Sequence, residues 1–381
     1  MRRSLPLVLL GASLACFSGE GTLGGACEGD GDCGDEQTCE RSICSLCGDG
    51  VAQSGELCLA GPEATEAVSD GVSSFAPIDM NGDGLADLVW PAETGLAVAL
   101  VSAEGLGAPT VLTVDVTGVW SGDFDGDGVT ELLTRDATTG ASLWRASASG
   151  ELVLVTGVDL ESLRGFTGAV LQPAFGIVAR AGQRLVRVDA QGQPSALELD
   201  DAVTHLVAVP SLDAGGEADV VAVTGLRTLV AAAATDDGLD PLPGHAFSDD
   251  ILEPDILDIA PVSWNGDAFG DVVVLFDGGE VQVWLSDGLG GFVMGPTRGM
   301  SPSATRVLAL DVTGDRLPDV LTHGPQSDLR LAVHRDAELD TATALDDGSW
   351  LWVAPMNVGL DPFRDLVLYD GGAVSVLRGD P

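Results

Sequence analysis

Oxygen-bearing side chains recur in this sequence at positions one, three, five and nine of a short, glycine-punctuated stretch. The clearest copy places Asp79, Asn81, Asp83 and Asp87 in that pattern, with Gly82 and Gly84 between them. A second carries Asp123, Asp125, Asp127 and Glu131, and a third carries Asp311, Thr313, Asp315 and Asp319, with Arg316 where the second glycine would stand. Side-chain oxygens at alternate positions can wrap a hard cation. A backbone carbonyl at position seven and a carboxylate at nine complete six or seven oxygen ligands, which is the preference of calcium. The intervening glycines allow the positive-φ turns that bring those oxygens together.

Weaker copies fill the spaces between these three. Asn265, Asp267 and Asp271 keep positions three, five and nine; Asn357, Asp361 and Asp365 keep one, five and nine; Asp213 and Asp219 keep three and nine. A further copy, Gly168 to Val178, lacks acidic ligands and is placed by its ending, Gly176-Ile177-Val178. The starts fall at 79, 123, 168, 211, 263, 311 and 357. A period in the mid-forties accommodates four short antiparallel strands, the size of one propeller blade.

The elements that must position these loops are legible between them. Each loop is followed by an apolar run, a turn and a second alternating run. Asp271 to Phe276, the turn at Asp277-Gly278-Gly279, and Val281 to Leu285 form one such hairpin. Leu366 to Tyr369 and Val374 to Leu377 form another. No helical periodicity is apparent after Ala64, so the expected fold is all-β: a seven-bladed β-propeller preceded by a small disulfide-rich module. The sequence stops after the third strand of the last blade, so the stretch around Ala64 to Ser69 is expected to supply the missing outer strand and close the ring.

The repeats resemble the FG-GAP or VCBS family, found in integrin α-subunit propellers and bacterial surface proteins. The resemblance spans roughly residues 64–381 and implies calcium in the loop joining two strands of a blade. It would assign Asp79, Asn81, Asp83, the Leu85 carbonyl and Asp87 to a first site. A second would use Asp123, Asp125, Asp127, the Val129 carbonyl and Glu131, and a third Asp311, Thr313, Asp315 and Asp319.

The amino-terminal region has a different character. Arg2 and Arg3 precede an apolar run from Leu5 to Leu14, and Ser13-Leu14-Ala15 is an acceptable cleavage site before Cys16. Residues 1–15 read as a signal peptide, which makes the protein exported. Ala15-Cys16 resembles a lipoprotein junction, although Ser13 stands where Leu is usual. Removing Cys16 from the seven cysteines leaves Cys27, Cys33, Cys39, Cys44, Cys47 and Cys58, an even set for disulfides. Lipidation of Cys16 is therefore the expectation, with ordinary secretion the alternative. Residues 16–62 read as a disulfide-stapled module and linker, because so short a segment cannot bury an adequate core. The run from Cys47 to Cys58 resembles myxobacterial cysteine-rich repeats. Residues 63–381 form the expected propeller, giving an outer-membrane or cell-surface lipoprotein, or a secreted protein.

Composition narrows the function. The chain has 59 acidic residues against 17 basic ones, all Arg, for a formal charge of −42. Such a surface repels nucleic acid and anionic lipid, which excludes nucleic acid as a partner and leaves the membrane only through the lipid on Cys16. The 45% hydrophobic content separates the chain from disordered acidic sequences. His205, His245, His323 and His334 share no spacing, and no nucleophile elbow, P-loop or paired-histidine zinc motif is present. The expectation is a non-catalytic, calcium-binding propeller that binds an extracellular protein or polysaccharide. The alternative is an extracellular polysaccharide hydrolase or lyase using carboxylates at the channel. The long segment between the fourth and fifth copies, with Asp236, Asp237, Asp240 and His245, is a candidate contact loop.

Overall fold

Alternating and fully apolar runs of five to eight residues, separated by glycine turns, can bury both faces only by stacking as sheets. The computed structural model shows that outcome. It describes residues 37–40, 43–45 and 59–379, apart from 69–71, 73, 103–104, 137–139, 148–149, 173–175, 214, 216–217, 236, 247–253, 357 and 359–364. The expected signal peptide and the cysteines at 16, 27, 33, 47 and 58 lie outside the described residues. Within the module, Thr38–Glu40 pairs antiparallel with Ile43–Ser45, and the register sets Cys39 opposite Cys44.

Seven antiparallel sheets form the blades, six of four strands and one, blade 4, of five. Blade 1 comprises Ala76–Ile78, Asp87–Ala92, Gly95–Ala99 and Thr110–Leu112; blade 2 comprises Gly118–Gly122, Glu131–Arg135, Ala141–Ala146 and Leu152–Leu154. Blade 3 is Gly168–Gln172, Gly176–Ala181, Arg184–Val188 and Pro194–Glu198. Blade 4 is Val203–Val209, Asp219–Thr224, Thr228–Thr235 and Gly238–Pro241. A short fifth strand, His245–Ala246, pairs with the third, so much of the expected contact loop belongs to this sheet. Blade 5 is Ile256–Val262, Asp271–Phe276, Glu280–Ser286 and Phe292–Gly299; blade 6 is Arg306–Leu310, Asp319–Gly324, Ser327–Ala332 and Thr343–Asp346.

Blade 7 is made from both ends of the repeat region. Trp352–Met356, Asp365–Tyr369 and Ala373–Gly379 are joined by Leu59–Ala67, which pairs with Ala373–Gly379 from Leu59 opposite Gly379 to Ala67 opposite Ala373. The closing strand expected near Ala64 to Ser69 is thus present and starts at Leu59.

Packing between blades follows the two-residue period of a strand. In the second strand of blade 5, Val272 and Val274 pack toward Val221 and Val223 of blade 4. Val273 and Leu275 pack the other way, against Val307 and Val320 of blade 6. Between blades 7 and 1, Val367, Tyr369 and Val376 meet Leu88, Trp90 and Ala97, completing the circle. First strands of blades 2 to 6 pack side by side in succession, which places them innermost. Pro77, Pro261 and Pro355 sit exposed on such strands; an inner strand has an unpaired edge, where proline removes no ladder bond.

One alignment needs correction. Gly168–Gln172 is the inner strand of blade 3, with Gln172 opposite Gly176. Only residues 173–175 join the two strands, so this blade has lost its acidic loop rather than having it mutated in place.

Candidate functional site

The acidic loops join the first and second strands of their blades and all emerge on one face of the ring. In blade 1, Asp79 accepts from Gly82 N–H (2.7 Å) and Gly84 N–H (2.9 Å). Asn81 Oδ1 accepts from Asp83 N–H (2.9 Å), and Asp83 Oδ1 from Leu85 N–H (2.8 Å). Blade 2 repeats the scheme with Asp123 on Gly126 and Gly128, and Asp127 on Val129. Blade 5 repeats it with Asn265, Asp267 and Phe269. In blade 6 Arg316 adopts a φ of 70°, matching 88° at Gly84 and 83° at Gly128. Its N–H donates to Asp311 Oδ2 (2.9 Å) as those glycines do to Asp79 and Asp123. The loop geometry therefore survives the loss of the second glycine, at the cost of a left-handed residue with a side chain. Asn357 and Asp361 lie outside the described residues.

The ninth-position carboxylates are buried, and each is bonded to backbone. Asp87 accepts from Met80 N–H (2.8 Å) and Val101 N–H (2.7 Å). Asp271 accepts from Trp264 N–H and Ser286 N–H (both 2.9 Å). Asp319 accepts from Val312, Thr313 and His334 N–H groups, and Asp365 from Val358 and Gly379. Asp219 accepts from Leu212 N–H (2.6 Å). Each carboxylate ties the start of its loop to its blade, and in blades 1, 5, 6 and 7 also to the end of the third strand. Charge-assisted bonds of this kind offset part of the cost of burial. Burial still raises the carboxyls of Asp87, Glu131 and Asp271, and pushes Asp319 up to about 7.

The loops differ in what faces their outer oxygens. In blade 2, Asp123, Asp125 and Glu131 bring oxygens within 4.8 Å of one another, the one such acidic group among the described residues. Arg145 of the third strand reaches into it, 3.0 Å from Asp125, 2.9 Å from Asp127, and donating through Nε to Glu131 (2.7 Å). Blade 1 has Leu100, not an arginine, at the equivalent position, one residue past Ala99, which stands opposite Leu88. In blade 6, Asp311 Oδ1 and Thr313 Oγ1 are buried without a hydrogen-bond partner on the protein.

A second cluster lies at the other end of the channel, where the inner strands begin. His205, Asp258 and Arg306 come from the inner strands of blades 4, 5 and 6. Arg135 and Arg180 come from the ends of the second strands of blades 2 and 3, opposite Gly118 and Gly168. Asp258 Oδ1 stands 3.7 Å from both His205 Nε2 and Arg306 Nη1, while Oδ2 accepts from Val307 N–H (3.0 Å). Sequence reasoning missed this cluster. Its one signal was the recurrence of arginine opposite a strand-opening glycine in consecutive blades.

No family model matches the chain, and no curated protein matches it. Solved structures do. BBS1N, crystallised in complex with ARL6DN, is similar at a TM-score of 0.57 and 13% identity over 85% of this chain and 97% of its own. Sqt1 of Saccharomyces cerevisiae is similar at 0.56 and 11% identity, over 84% of this chain and 100% of its own. At such identities the likeness is one of fold, and the fold is a seven-bladed β-propeller.

Proposed function

We propose that this chain is an exported, non-catalytic binding platform whose propeller engages an extracellular protein, with calcium bracing its acidic loops. The observation that carries the reading is the use made of the buried acids. Six ninth-position carboxylates are held by backbone N–H groups or by Arg145, so they brace blades and are not presented to a substrate. A propeller of similar fold, BBS1N, is described in complex with ARL6DN, which supports a protein as the partner here. Cell-surface anchoring through Cys16 and a disulfide-linked module remain part of the proposal.

Calcium fits these residues on the chemistry of the donors. Blade 1 offers Asp79, Asn81, Asp83, Asp87 and the Leu85 carbonyl, an all-oxygen set. Blade 6 adds buried, partnerless oxygens on Asp311 and Thr313. In blade 2 the guanidinium of Arg145 already pairs with Asp125, Asp127 and Glu131, so a cation must displace it. Bound calcium would offset much of each loop's negative charge and hold it rigid.

Thermal melts of the full-length chain with millimolar calcium and with chelator test this. Binding to the folded state alone raises the melting temperature by mass action. A rise is expected, reduced by Asp83→Ala and enlarged by Arg145→Met, which frees blade 2. A melt indifferent to calcium in all three proteins removes the metal from the proposal.

A second reading, an extracellular polysaccharide hydrolase or lyase, has one observation in its favour. Asp258 lies at the channel with its carboxyl raised to about 6 by burial, close to His205. Glycan turnover abolished by Asp258→Asn in a folded protein would establish it; saturable binding without turnover upholds the binding platform.

A further inference from the structure

The channel mouth opposite the acidic loops gathers positive charge in a chain that has little to spare. Arg180 lies over Gly168, where a Cβ would come within 2.5 Å of its Nε. The missing side chain is what lets the guanidinium cross the inner strand. Arg135 lies beside Gly118, where a Cβ would meet the Trp120 ring first and the guanidinium only at 3.6 Å. It donates to the Phe166 carbonyl (2.8 Å) and lies 5.8 Å from the Trp120 ring. Arg306 projects from the start of its own inner strand. Extra residues bulge the inner strands of blades 4 and 5 next to His205 and Asp258, and bulges re-aim side chains where pairing alone would not.

These groups do not neutralise one another. Asp258 is the one acidic member, and two arginines face it. Arg306 and Arg135 each bear unfavourably on Arg180, whose guanidinium is already disfavoured by burial. Burial and the nearby Arg306 and Arg180 lower His205 to about 4, so it adds no charge at neutral pH; its Nδ1 lies 3.1 Å from Thr204 Oγ1. On blades 7 and 1 the same level carries the uncharged rings of Trp352 and Phe75, 4.7 Å apart. Three guanidiniums against one carboxylate leave a net charge of +2 here, on a chain of formal charge −42. Planar, forked guanidiniums match oxyanions, and a low-dielectric mouth strengthens the attraction.

We propose that this mouth is an oxyanion-binding site, taking a carboxylate or phosphate group between Arg180 and Arg306. The site is independent of the calcium loops, which lie on the opposite face.

Calorimetric titration of the full-length chain with succinate, acetate and inorganic phosphate, in a chloride background, tests it. Saturable binding of an oxyanion over chloride is expected; tighter succinate or acetate identifies a carboxylate ligand, and tighter phosphate a phosphoryl one. Arg180→Gln with Arg306→Gln should weaken binding at least about tenfold. Asp258→Asn, which removes the opposing charge, should tighten it by about tenfold. A purely structural role for the cluster would not produce that gain, and the single variant decides the matter even if the double variant fails to fold. Absence of saturable binding, or affinities equal in wild type and Asp258→Asn, overturns the site.

Discussion

Asp258 shows how one side chain can be held against its own charge. Burial raises its carboxyl to about 6 from 3.8, and Arg306 together with the Val307 and Ile259 N–H groups only partly oppose that. The folded state therefore holds this proton more tightly than the unfolded one. The resulting stabilisation is complete below the ordinary value and is lost as pH rises through about 6. Asp258→Asn should accordingly melt higher than wild type at pH 8, by on the order of 3 kcal/mol, and no higher at pH 4. His205 and His323 work in the other direction. Burial lowers each to about 4, so their contribution is lost as pH falls from 6.5 toward 4. His323 is common to the two proteins and cancels. His205, 3.7 Å from Asp258, is neutral folded and unfolded at pH 8 and so does not enter the difference read there. Equal melting differences at both pH values would show that the carboxyl is not perturbed.

At the scale of the element, the unit is a loop clamped by its ninth residue. Asp271 is fully buried and holds the N–H groups of Trp264 and Ser286. Replacing it with Ala strands both donors, and should cost roughly 2–4 kcal/mol in the presence of chelator, where no metal contributes. A change below about 0.5 kcal/mol would mean that the loop is held by its turns alone. Much of this unit was legible before the structure: alternate oxygens, glycines and the apolar run after them all recur at blade spacing. Its bonding was not. Asp271 meets Ser286 across a hairpin, 15 residues on, and the same clamp spans 14 or 15 residues in blades 1, 6 and 7. The acceptor side is visible as an acid, but the donor is a backbone N–H on a residue of any type, so no side chain marks it. Blade 3 was misaligned because its loop is deleted, leaving only the Gly176-Ile177-Val178 signature of the strand that follows. The cationic mouth draws one side chain from each of five blades, so no local motif announces it.

At the scale of the molecule, blade 7 joins the two ends of the repeat region. A ring closed by Leu59–Ala67 gains one full strand of pairing along Ala373–Gly379. Deleting residues 59–67 should lower the melting temperature by roughly 10 °C or more, since each kcal/mol moves a chain of this size by a few degrees. A permuted chain, with 59–67 moved by a linker to follow Gly379, should recover it. Failure of the deletion to alter the melt would show that seven blades close without that strand.

The register of the same closure has a mechanical consequence. Leu59 lies opposite Gly379, so chain entering before 59 and chain leaving after 379 meet at one end of a paired ribbon. Tension between a tether on one side and a load on the other would not shear this ribbon along its length. It would peel its hydrogen bonds one at a time, opening blade 7 while the other six blades bear no strain.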